Sequence, residues 1–246
     1  MSDTKRVKLT ISYDGTRYHG FQIQNNAITV QGEFESSMSK LFGEEISITG
    51  CSRTDAGVHA QNFVLHADIP AFFPTNKIHL ALNTFLPDDI CVLHGEDVDE
   101  SFHARYSCVE KTYRYMILNR VVRDPFYRTR AWHFPYHLDI EKMNLAASDI
   151  IGEHDFSSFM AQGSPVSSTV RDVRACSVER DGDVVSVYIT ANGFLYNMVR
   201  IVTGTLAAAG TGKLTESVRD ILLSCDRTRA GITAPPQGLY LYEVKY

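Results

Sequence analysis

The stretch CSRTDAGVHA, residues 51–60, sets Arg53, Asp55, Gly57 and His59 within a few positions. None of the four builds a core. Read as residues alone, the stretch supports two structures. An Asp with a Gly close behind it commonly makes a turn. The same spacing also suits a single carboxylate held for reaction. Arg53 supplies positive charge, Gly57 allows close backbone approach or a positive φ, and the Thr54 hydroxyl is placed to orient a carboxylate.

Three further stretches carry candidate groups. ANGFLYNMVR, residues 191–200, delivers Arg200 into an apolar helix after a tight Asn192-Gly193 turn. There the guanidinium either snorkels to solvent or pairs with an anionic, catalytic carboxylate. FHARYSCVEKTYRY, residues 102–115, interleaves Arg105, Lys111 and Arg114 with Tyr106, Tyr113 and Tyr115. Aromatics at alternating strand positions are core residues or stacking platforms for bases, with the cations on phosphates. YDGTRYHGFQIQ, residues 13–24, puts Asp14, Arg17, Tyr18 and His19 on a loop or hairpin-like turn. His19, His59, His66, His103 and His154 show no HxxxH or HxH spacing, so no metal site is expected. No Walker A, GxGxxG, GxSxG or nucleophilic Cys pattern appears.

The elements that must position these groups alternate along the chain. RVKLTISYD reads as a strand, with Val7, Leu9, Ile11 and Tyr13 on one face. A helix follows from Thr29 as N-cap to Gly43, with Val30, Phe34, Met38 and Leu41 aligned. EISITGCS and NFVLHAD are strands, residues 76–84 a helix, and LPDDICVLHG a strand. The second half repeats the theme. KTYRYMILN is a strand, and LDIEKMNLAASDIIG is a helix closed by Gly152. A hairpin turns at Asp181-Gly182, and NMVRIVTGTLAAAG and TESVRDILLS are helices before the closing strand GLYLYEVKY. The expected class is α+β, in two similar halves, 1–103 and 104–246. Each half is a mostly antiparallel sheet backed by helices in the RRM or ferredoxin-like manner, with the active-site cleft between them.

Composition narrows the class further. With 246 residues, 44% of them hydrophobic, the chain can build one large domain or two intimate halves. No apolar run nears the roughly 20 residues of a membrane span. MSDTKRVKLT lacks the apolar segment of a secretory leader. Five cysteines without a CxxC pair read as reduced thiols in a cytoplasmic protein. The formal net charge of -5 argues against nucleic acid. Its distribution is different: residues 103–130 hold seven Lys or Arg against two acids, a local +5, leaving -10 for the rest. Such a stripe is either a phosphate-binding face or scattered solubilising charge.

Taken in order, YDGTRYHGFQIQ, TVQGEFE, RTDAGVHA, LNTFLPDDI, FHARYSCVEKTYRY, GEHDFSSF, ANGFLYNMVR and TAPPQGLYL closely resemble the TruA-type tRNA pseudouridine synthases. The resemblance spans nearly the whole chain. It implies isomerisation of uridine to pseudouridine in the anticodon stem-loop of tRNA, at positions 38, 39 and 40. It implies no cofactor, no metal, and a homodimer across which tRNA lies. By the resemblance, Asp55 is the nucleophile, Arg53 the active-site arginine, Tyr113 the base-stacking tyrosine and Arg200 the arginine paired with the carboxylate. Leu239 is an apolar floor under the uracil. Arg105 and Arg114 remain candidate phosphate contacts. Three departures stand out. Cys51-Ser52 replaces a small Ala-Gly step, Tyr196-Asn197 stands where a His pair is common, and Tyr106 replaces a frequent Phe. Two other classes compete: a non-catalytic RNA-binding module with aromatic platforms, which leaves Asp55 without a task, and a metal-free hydrolase, which lacks a second acid/base carboxylate.

Overall fold

A computed structural model describes residues 3–163 and 166–246. The chain divides into two compact units, one running to Val109 and rejoined by Tyr240–Tyr246, the other spanning Glu110–Leu239.

The first unit opens with β1 (Thr4–Tyr13), on which Val7, Leu9, Ile11 and Tyr13 are buried, the strand period of two made physical. Helix α1 (Val30–Phe42) follows. Thr29 caps it by accepting from the Gly32 N–H, and Gly43 closes it. Its Val30, Phe34 and Met38 are fully buried, while Leu41 is only half so. Burying side chains of this size contributes about 1.5–3 kcal/mol each. Strand β2 is short (Ile48–Gly50) and β3 long (His59–Pro70). The helix expected over 76–84 is instead a 3-10 turn followed by α2 (Ile78–Leu82). At its end the Asn83 side-chain amide exchanges two hydrogen bonds with the backbone of Val92 on β4 (Ile90–Asp97). Strand β1 lies between β3 and β4, antiparallel to both, and β2 is antiparallel to β3.

The second unit is built on β5 (Glu110–Leu118), which pairs in parallel with the two-residue β6 (Trp132–His133). Helix α3 (Ile140–Ser148) is capped by Asp139. Gly152 was expected to close that helix; at φ 112 it instead opens β7 (Gly152–Asp155). Strands β8 (Val170–Asp181) and β9 (Val184–Ala191) form the hairpin. Asp181 pairs with Val184, so the two turn residues are Gly182 and Asp183, one place later than expected. The order β5-β9-β8-β7 is antiparallel throughout. Helix α4 (Met198–Gly210) is buried almost all round; the hydroxyls of its buried Thr203 and Thr205 donate to the Val199 and Ile201 carbonyls, and Met143 of α3 packs against its Gly210. Helix α5 (Val218–Ser224) leads to the last strand, β10 (Leu239–Lys245).

The division differs from the expected halves 1–103 and 104–246. Residues 104–109 belong to the first unit: the Ala104 N–H donates to His66 Nδ1 and the Val109 N–H to the Lys245 carbonyl. The end of the chain returns to that unit because Tyr240 and Leu241 pair in parallel with His59 and Ala60 of β3. Among the described residues no helix is long and apolar enough to cross a membrane.

Candidate active site

In the first unit the Asp55 loop is a β-turn. The Val58 N–H donates to the Asp55 carbonyl at 3.1 Å, and Gly57 takes φ 75 at the third position, where a type II turn needs glycine. Asp55 is half-buried at its head and Arg53 is exposed. The turn reading of RTDAGVHA is therefore the observed one, and Asp55 is its first residue.

That turn is braced by residues 13–21. The Tyr13 hydroxyl meets Thr54 Oγ1 at 2.8 Å. The Gly57 N–H donates to the Tyr18 carbonyl and the Phe21 N–H to the Thr54 carbonyl. Gly15 lies so close that a Cβ on it would sit 2.0 Å from the Val58 carbonyl oxygen. Asp14 Oδ1 and the Gly15 N–H each reach Nδ1 of buried His59 at 3.0 Å, and the His59 ring stacks on Tyr240 at 4.6 Å. The charged groups of YDGTRYHG are absorbed by this brace. Arg17 Nε donates to Asp89 at 2.6 Å, as does the Tyr18 hydroxyl. Burial first, then the bond to Asp89, pushes the Tyr18 phenol up to about 12, so it stays a donor. Arg105 is exposed, its guanidinium 5.7 Å from the centre of the Tyr106 ring.

In the second unit, Tyr113 sits on β5 opposite Ile189 of β9, 7% exposed. Its ring meets Phe194 edge-on at 4.9 Å, which sets its plane. Arg114, next along the strand and so on the other face, donates from Nε and Nη2 to Ser186 Oγ. Arg200 lies in the first turn of α4. Its Nε donates to the Ala234 carbonyl and its Nη1 to Asn197 Oδ1, both at 2.7 Å. Leu239 is buried, directly after the turn whose Gly238 packs on the ring of Tyr115. The Tyr115 hydroxyl donates to the Pro235 carbonyl at 2.6 Å, and burial holds its phenol well above the usual range. Tyr115 is thus a buried tie for the segment TAPPQGLYL and not a stacking platform. Tyr113 and Arg200 are brought to one region through Phe194 and Asn197, both from ANGFLYNMVR.

The sequence assigns no site contact to Tyr13, Gly15, Phe194, Asn197 or Ala234. Phe194 and Asn197 stood inside a motif already singled out, but their partners are fixed only by the fold. The backbone carbonyl of Ala234 has no side-chain signature at all. His133 and His137 do carry an HxxxH spacing, yet His133 Nε2 lies 2.9 Å from the Arg120 carbonyl. Among the described residues no group of three His, Cys, Asp or Glu is placed to hold a metal ion.

The model of a family described as tRNA pseudouridine synthase matches residues 9–107 and 146–246. A protein of Thermoanaerobacter sp. (strain X514) named tRNA pseudouridine synthase A is 51% identical over 243 residues, covering 98% of this chain and 100% of that protein. Proteins of the same name from Ruminiclostridium cellulolyticum and Brevibacillus brevis are 48% and 46% identical, each over 98% of this chain and 100% of their own length. The matched residues take in the braced Asp55 turn, the N-terminal part of the α4 segment that holds Arg200, and the strap through Ala234. With agreement at this level over nearly its whole length, the chain belongs to the tRNA pseudouridine synthase family and is an isomerase.

Proposed function

We propose that this chain converts uridine to pseudouridine in the anticodon stem-loop of tRNA, at positions 38, 39 and 40, with Asp55 as nucleophile. The observation that carries the reading is the brace around residues 54–58. Four contacts from one neighbouring segment hold a turn whose only carboxylate is Asp55. A carboxylate on a turn this constrained meets its target in one geometry.

The reaction breaks the N1–C1′ bond and forms a C5–C1′ bond; the proton on C5 leaves and N1 gains one. Stacked bases hide these atoms, so the nucleotide is flipped out of the loop. Exposed Arg53 fills or braces the vacated space. Asp55 attacks in its ionised form, at C1′ of the ribose or at C6 of the ring. The Tyr113 ring stacks on the uracil and its hydroxyl serves near C5, with Leu239 as apolar floor. The Arg200 guanidinium favours the ionised carboxylate. Arg105 and Arg114 take phosphates, and the working form is a homodimer needing no metal or cofactor.

The test uses tRNA transcripts that keep one uridine at a time. Pseudouridine should form when that uridine is at 38, 39 or 40. Equal formation at a uridine of another arm would contradict the proposed position, and no formation at any would contradict the activity.

A further inference from the structure

Asn197 stands at the N-cap of α4 but does not behave as a cap. Thr29, Asp139 and Ser217, which begin α1, α3 and α5, are all extended, and each side chain accepts from a backbone N–H of the first turn. Asn197 is left-handed, at φ 59 and ψ 8, and makes no capping bond. Its Oδ1 accepts instead from Nη1 of Arg200 at 2.7 Å. Helix α4 thus forgoes a cap and tolerates an unfavourable backbone conformation at one residue, and the side chain so released goes to a guanidinium. Departures of this kind persist where something other than local stability is being set.

The second hold on Arg200 comes from the strap after α5. A Cβ on Gly204 would sit 1.9 Å from the Ile232 carbonyl oxygen, and the Gly231 N–H donates to Thr205 Oγ1, so the strap crosses α4 in close contact. It delivers Ala234, which accepts from Arg200 Nε at 2.7 Å and donates its N–H to the Arg200 carbonyl at 3.1 Å. Two neutral oxygens therefore grip adjacent nitrogens of one guanidinium. They orient the planar fork without neutralising its charge.

We propose that Asn197 is a positioning residue, which orients the Arg200 guanidinium toward the anion it serves in catalysis. The proposal rests on the reading of Arg200 given above. An amide suits the task because it accepts a hydrogen bond while adding no charge that competes for the guanidinium.

The test is single-turnover kinetics on tRNA, with tRNA affinity and thermal melting measured alongside. Asn197→Gly removes the amide and leaves a residue at ease in the left-handed region, so the fold should be kept and the melting temperature unchanged or raised. Its rate should fall about 10- to 100-fold, the worth of a hydrogen bond to a charged group, with tRNA affinity retained. Its acid limb should move to higher pH, because a misdirected guanidinium stabilises the carboxylate less. Asn197→His, which also tolerates the left-handed region and offers a ring nitrogen as acceptor, should recover most of the rate. In an Arg200→Met background, Asn197→Gly should cost nothing more. Undiminished turnover by Asn197→Gly with Arg200→Met impaired overturns the proposal and leaves the reading of Arg200 standing. So does an equal further loss in the Arg200→Met background. Parental turnover by Arg200→Met overturns the reading of Arg200 and the proposal with it.

Discussion

Tyr113 combines two roles, a ring and a hydroxyl, that substitution separates. Tyr113→Phe keeps the edge contact with Phe194 and the face offered to a base, so tRNA affinity should survive. Its single-turnover rate should drop about 10²- to 10⁴-fold if the hydroxyl works near C5. Tyr113→Leu should lose a further stacking contribution of about 1–3 kcal/mol in binding. Parental turnover by the Phe variant, with only Leu impaired, would reduce the residue to a platform. At this scale the sequence draws the eye to residues whose own side chains are out of place in their surroundings. Asp55, Arg53 and Arg200 stand out because a carboxylate on a glycine turn, or a cation on an apolar helix, is odd in itself. Ala234 does not, and Asn197 shows only as a departure from the resemblance, since an amide and a backbone carbonyl take their meaning from what the fold brings to them.

At the scale of elements, YDGTRYHGF holds the Asp55 turn. Gly15→Ala should be more damaging than its size suggests. Its methyl group would sit 2.0 Å from the Val58 carbonyl oxygen, so the turn must move. Turnover should fall at least tenfold, because an ångström of displacement at a reacting group costs far more than binding does. Tyr13→Phe leaves the buried Thr54 hydroxyl without its partner and should cost about 1–3 kcal/mol of stability. Parental turnover by Gly15→Ala, measured beside tRNA affinity, would remove the brace from the account. Most elements were legible from period and caps: β1 from its alternation, α1 from Thr29 and its four-residue apolar rows. Strands β6 and β7 were not, because two and four residues are too short to carry a period. Helix α2 is shorter than expected, and the bonds of the Asn83 side chain to β4 join it to a partner remote from the helix pattern.

At the scale of the whole molecule, pH reports on the first unit through His66. Burial first, then the Arg6 guanidinium and His103, push its imidazole down to about 4 from 6.5. The folded chain therefore refuses a proton that the unfolded chain accepts between those values. The resulting loss of stability begins as pH falls below 6.5 and is complete below about 4. His66→Asn keeps an acceptor for the Ala104 N–H and does not titrate. Its stability deficit against the parent, measured by denaturant unfolding, should narrow from pH 7 to 4.5, and a constant deficit would contradict the assignment. The division into two α+β units was legible, but their membership was not. The return of Tyr240–Tyr246 to β3 is a parallel pairing between residues about 180 apart, which no local pattern encodes. The central claim, that Asp55 drives chemistry at uracil C5, is tested most directly by tritium release from tRNA labelled at that carbon. The account predicts release by the parent and none above background by Asp55→Asn, with tRNA affinity largely kept because phosphate contacts dominate it. Release by the Asn variant at the parental rate, or no release by the parent, would contradict it.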